Sequence, residues 1–309
     1  MANTGAIYKN GVPYSEDNPM DIKVAASAMR AICDAKGNKI KDTYVKKAKQ
    51  SLEFIDTAAY HNSVYRGKDL TTRFKSGDLY AEIASGKFRD IFIGDYFNIS
   101  YDNPKKTGEK VNLTCRFAMF TDPITNFIAK PAAVIVPDQN IFGTVLTKWN
   151  QTQTVEGGYA DSNILSEITS FVPTLTSIFG DSHVGIFSTR ITNTIQDSMS
   201  GGGTGIQGIT SADGSLLSKK IDLLSETEIF GTRILASGCY DNESIFMHLP
   251  LFRLNPELIN IQVESQANCD NYLKSIVNNA NVVAVEYKGL VVSSSPANSR
   301  AVRPKWIIW

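Results

Sequence analysis

The chain has 309 residues, 42% of them apolar, with 31 basic and 31 acidic side chains and a formal net charge of zero. That is enough apolar material for one large core or two smaller ones without a metal or disulfide. A zero balance supplies no field to hold nucleic acid or an anionic membrane, which excludes a polyanion-binding role as the default.

In chain order, residues 1–20 carry Gly5, Asn10-Gly11 and Asn18-Pro19, turn formers that predict an extended arm or a small hairpin. From Asp21 to Cys33, Ile22, Ala25, Ala26, Met29 and Ile32 recur at helical spacing. Gly37-Asn38 breaks that helix. A second run follows, with apolar Val45, Ala48, Leu52 and Ile55 beside Lys46, Lys47 and Lys49. Each run has one apolar face that needs a partner, either the rest of the chain or copies of itself, and both are too short to establish a coiled coil.

Beyond residue 60 the pattern mixes helix and strand. Leu70 to Gly86 reads as a helix stopped by Gly86, and Ile91 to Tyr101 as one or two strands interrupted at Gly94-Asp95. The lysine-rich NPKKTGEK leads to a strand at VNLTCRFAMF, and AAVIVP reads as a buried strand. SNILSEITSFVPTLTSIFG is an amphipathic helix interrupted at Pro173, and Gly201–Gly208 a surface glycine cluster. Strands are predicted at VVAVEY, after the Lys288-Gly289 turn at LVVSS, and at KWIIW, which is too apolar to lie outside a sheet or an interface.

Few residues here carry chemistry. Gly203, Gly205 and Gly208 fit GxGxxG without the preceding strand and following helix that a dinucleotide needs. His61, His183 and His248 are read as structural histidines, and Asp181-Ser182-His183 are chain neighbours that cannot face one another as a triad. Cysteines 33, 115, 239 and 269 form no close pair and are expected as small buried residues. The Asp/Asn clusters CYDNES (239–244) and CDNYL (269–273) lack calcium-loop spacing and read as surface turns. No apolar run reaches a membrane span, and the first residues lack the apolar stretch of a signal peptide. No metal, no cofactor and no membrane insertion are expected.

RAICDAKGNKIKDTYVKKA resembles a short unit found ahead of receptor-binding tips in bacteriophage tail-fibre proteins. IYKNGVPYS is similar to the start of fibre and baseplate proteins of phages of Gram-positive bacteria. From about residue 61, AYHNSVYRGKDL, SGDLYAEIASGKFRDIFIGDYF, AVIVPD, EGGYADSNI, IFGDSHVGIFSTR and AVRPKWIIW follow in an order similar to a family of phage and prophage structural proteins. Where that family has a Trp-Arg strand this chain has FNISY and NPKKTGEK, and ANCDNYLKS replaces a WLR stretch. The resemblance therefore implies a fold and a virion role, not a site.

The implied fold class is α+β: a docking arm at 1–20, a helical oligomerisation stem at 21–60, and a mixed α/β domain of twisted hairpins at 61–309, related to the C-type lectins. The implied protein is a homotrimeric fibre or spike, assembled in the host bacterial cytoplasm and carried in the virion. Its arm would bind other virion proteins and its tip a host cell-surface glycan, many weak sites acting together. Trp149, Tyr159, Tyr240 and Tyr272 are the candidate ligand contacts, since sugar faces stack on aromatic rings, with the core as the competing place for each. No catalytic residue is expected. The rival classes are a head fibre or decoration protein without a receptor, and a glycan depolymerase using Glu156 with Asp161 or Asp181.

Overall fold

The computed structural model describes residues 8–9, 12–13, 56–124, 127–155, 158–191, 215–236, 248–260, 270–278, 280–286 and 288–309. The chain divides into two units, Met1–Ile55 and Asp56–Trp309. In the first, β1 (Tyr8–Lys9) and β2 (Val12–Pro13) pair antiparallel, Tyr8 opposite Pro13, flanking the Asn10-Gly11 that predicts a hairpin. The two helical runs expected between Asp21 and Ile55, and the cluster Gly201–Gly208, lie outside the described residues.

The second unit starts at Asp56 rather than at the expected residue 61. The reason is local. Thr57 caps α1 (Ala58–His61), Ala58 is buried, and the Asp56 carbonyl accepts from the Phe88 amide at 3.3 Å. The helix expected from Leu70 to Gly86 is two, α2 (Thr71–Ser76) and α3 (Asp78–Ala84), because Gly77 sits between them at φ 82°, where a left-handed residue ends one helix and starts the next.

Strands β3 (Tyr96–Asp102), β4 (Lys110–Thr121) and β5 (Ala132–Pro137) form an antiparallel meander. NPKKTGEK is the turn of its first hairpin. In β4 the alternation of buried and outward residues slips at Ala118, where Phe117 pairs with Ile135 but Met119 with Val134. This bulge lets both Phe117 and Phe120 face the core.

After β6 (Thr147–Lys148) come α4 (Asn163–Thr169), capped by Ser162, and α5 (Val172–Phe179). The break expected at Pro173 falls just before it, and Pro173 occupies the first turn of α5, where its missing N–H costs nothing. Then follow β7 (Phe187–Ile191), β8 (Ser215–Lys219), β9 (Ile221–Leu223), α6 (Glu226–Phe230), α7 (Pro250–Leu254) and a 3₁₀ turn at Pro256–Ile259. The last elements are β10 (Asn271–Asn278), β11 (Asn281–Val285), β12 (Val291–Ser294), β13 (Ser299–Arg300) and β14 (Pro304–Ile308).

The principal sheet has the order β3-β4-β5-β14-β9, so KWIIW lies between two partners, as its apolarity requires. Strands β10, β11 and β12 make a second sheet, and β13 pairs with β6. CDNYL is not a surface turn from Asn271 onward. It enters β10, whose first six residues are buried. Helices with antiparallel sheets make the unit α+β.

Candidate functional site

Strand β14 places Lys305 directly opposite Asp222 of β9, while Trp306, one residue on, faces the other side of the pleat beside Phe179. Lys305 Nζ donates to Asp222 Oδ2 at 3.0 Å, to the Leu223 carbonyl at 2.9 Å and to Glu228 Oε2 at 3.0 Å. Lys274 Nζ, from β10, reaches the same Asp222 oxygen at 2.9 Å. The Tyr159 hydroxyl donates to Asp222 Oδ1 at 2.8 Å and accepts from the Leu223 amide at 3.0 Å. Glu228 is held in turn by α6, where its side chain and that of Ser225 form a reciprocal cap.

All five side chains are buried. Two ammonium groups face two carboxylates, so the charges balance inside the core, the condition under which buried ions persist. Burial alone would raise the Asp222 pKa, but Lys274 and Lys305 outweigh it and lower it to about 2. Burial alone would lower that of Lys305, yet Asp222 and Glu228 raise it. Burial and the neighbouring Asp222 push the Tyr159 phenol well up. No member of the cluster is placed to meet a solute, so its reach is confined to the chain itself.

Two other joints share this construction. Asp95 accepts from Arg66 Nε at 3.0 Å and from the amides of Lys68 and Phe92, each at 2.8 Å. Arg116 Nε reaches both Asp138 oxygens at 2.8 Å. Arg303, fully buried, donates to the carbonyls of Pro137 and Leu258 at 2.7 Å. Burial lowers its pKa to about 10 against the pull of Asp138.

The candidate ligand contacts do not offer exposed faces. Trp149 and Tyr272 are 0% exposed and Tyr159 is 5% exposed, while Tyr240 lies outside the described residues. Each of the three is spent on a long-range bond. Trp149 Nε1 donates to the Leu273 carbonyl at 3.2 Å, and the Tyr272 hydroxyl lies 2.7 Å from the Ser295 carbonyl and 2.8 Å from that of Asn298. Tyr159 joins the charge cluster, with its ring 6.4 Å from that of Trp149. These aromatics are core residues, the competing place the sequence allowed them.

The remaining candidates separate. Asp161 is exposed, Asp181 pairs with Lys220 at 2.5 Å, and Glu156 lies outside the described residues. His61 is buried with Nδ1 2.6 Å from the Ile91 carbonyl, and His183 stacks on Tyr80. Cys115 is buried, which pushes its thiol well above the usual range. Among the described residues no group of three or more His, Cys, Asp or Glu could hold a metal, and no helix is long and apolar enough to cross a membrane.

Sequence reasoning missed Asp222, Glu228, Lys274 and Lys305. A signal was present: NYLKSIV and KWIIW each carry a single lysine inside an apolar strand, and a charge there must find a buried partner. No protein-family model, curated protein or solved structure matches the chain.

Proposed function

We propose that the chain is a bacteriophage virion structural protein, a fibre or spike whose N-terminal arm docks it to the particle and whose unit from residue 56 onward recognises the host surface. One observation carries this reading: the segments on which the family resemblance rests meet one another in space. Arg66 of AYHNSVYRGKDL binds Asp95 of IFIGDYF, and Arg303 of AVRPKWIIW binds the Pro137 carbonyl of AVIVPD. Asn62 of the first segment also ties it to β4, outside those segments, by two bonds of 2.7 Å with the Phe120 backbone. Spaced motifs that form mutual joints are what a shared scaffold would place together, and this supports the reading.

The same reading takes the packed hairpins, closed by a VRP segment that anchors the last strand, as a relative of the C-type-lectin arrangement. Copies associate as a trimer through residues 21–55, whose apolar faces need partners. With Trp149, Tyr159 and Tyr272 in the core, recognition falls to other surface residues.

Immunogold labelling of intact particles, with antibody to the unit beginning at Asp56, tests the virion role. Label on a tail appendage is the expected result, and label on the capsid would make the protein a head fibre. Particles bare of label, with the protein only in the soluble lysate, would refute the reading. Light scattering on the full chain should give three times the monomer mass.

A further inference from the structure

The geometry points to an intramolecular amide bond between Lys305 and Asp222, formed by the protein itself with Glu228 as the proton-transfer group. This goes beyond the virion reading and does not depend on it. Nucleophile, electrophile and base already stand together. Lys305 Nζ is 3.0 Å from Asp222 Oδ2, a hydrogen bond that holds the amine against the carboxyl group whose carbon it would attack. The same nitrogen is 3.0 Å from Glu228 Oε2, close enough to pass a proton directly.

The carboxyl group of Asp222 is held for attack from both ends. The Tyr159 hydroxyl donates to Oδ1 at 2.8 Å, where negative charge gathers when an amine adds to the carbon. Lys274 Nζ donates to Oδ2 at 2.9 Å, the oxygen that must leave. An amine and a carboxylic acid do not condense in water because both stay charged and solvated. Inside this core Lys305 and Asp222 start as a desolvated ion pair, a transient proton transfer from Lys305 to Glu228 frees the amine, and excluded water cannot reverse the product.

The step balances without a co-reactant. Lys305 gives one proton to Glu228, and its free amine adds to Cγ of Asp222. The second proton leaves nitrogen as the Cγ–Oδ2 bond breaks, and Oδ2 departs as water with the two protons that began on Nζ. Glu228 and Lys274 end as they started, and nothing is oxidised or reduced. The bond closes a loop between residues 83 positions apart and ties the last strand of the principal sheet to β9. A surface-exposed particle protein would gain resistance to unfolding by force and protease.

A tryptic digest of the full-length protein decides it. Cleavage after Lys220, Arg233 and Arg300 leaves IDLLSETEIFGTR and AVRPKWIIW joined when Lys305 is in the amide, which blocks cleavage after it, whereas a free Lys305 is cut to give AVRPK and WIIW. The expected product is one ion lighter than the sum of IDLLSETEIFGTR and AVRPKWIIW by the mass of one water, with fragments placing the link at Asp222 and Lys305. Glu228→Gln should keep the hydrogen bond to Ser225 and the fold by circular dichroism, and yield the peptide of residues 221–233 unlinked, with AVRPK and WIIW beside it. Unlinked IDLLSETEIFGTR with AVRPK and WIIW from the natural sequence, or a link from Asp222 to Lys274, would overturn the assignment. A link that forms unchanged in Glu228→Gln would overturn the role of Glu228. The natural-sequence digest decides the bond even where a variant does not fold.

Discussion

Replacing Asp95 by alanine tests whether the joints between the resemblance segments hold the fold. The carboxylate is 0% exposed and satisfies the amides of Lys68 and Phe92 as well as the Arg66 guanidinium. Losing a partner costs about 1–3 kcal/mol for each buried donor, and because these amides are only partly buried the low end applies to each. The charge-assisted bond to Arg66 adds about 1.5–3 kcal/mol, so the total loss is about 3–5 kcal/mol. At roughly 2–4 °C per kcal/mol for a unit of this size, Tm falls by roughly 6–20 °C. The control shares the same arginine: Asp90 also contacts Arg66, but it is 51% exposed, and Asp90→Ala should cost less than about 1 kcal/mol. Urea unfolding followed by the fluorescence of buried Trp149 and Trp306 reads both variants. Equal losses for the two aspartates, or a loss below about 1 kcal/mol for Asp95→Ala, would refute the reasoning.

Gly94→Ala and Gly77→Ala share a φ of 82°, but a Cβ at 94 would stand 2.1 Å from the Tyr65 ring while one at 77 meets nothing within 4 Å. The first should cost roughly 2–5 kcal/mol, strain plus overpacking, and the second about 1–2 kcal/mol, strain alone, by urea midpoint. Trp149→Ala should lose about 3–5 kcal/mol as a buried residue; a fully stable variant would place the ring at the surface instead. Burial raises the phenols of Tyr80 and Tyr272 to about 12, above the value near 10 of an unfolded chain. Between those values the unfolded chain has released protons that the folded chain keeps, so stability falls as pH rises. Arg303, with its pKa lowered to about 10, offsets part of that loss. Thermal melts and phenolate absorbance across that range should show unfolding preceding ionisation, and early ionisation in the native state would contradict the burial.

By itself the sequence determined the local elements whose pattern is complete within a few residues. AAVIVP is β5 to the residue, KWIIW lies within the sheet, and NPKKTGEK is the hairpin turn, because continuous apolarity and turn residues act locally. It fell short where one residue redirects the chain, as at Gly77 between two helices and at Ala118 in β4. Only the tertiary structure decided the fate of the aromatics and of the lone lysines. Trp149, whose bond partner lies 124 residues away, is open in the sequence to a surface stacking place as well as to the core, and that partner decides for the core. Lys305 had no visible reason to sit in an apolar strand until β9 brought Asp222 opposite it. A buried charge is stable only with its counter-charge, and which residue supplies it is set by strand order, which periodicity does not encode.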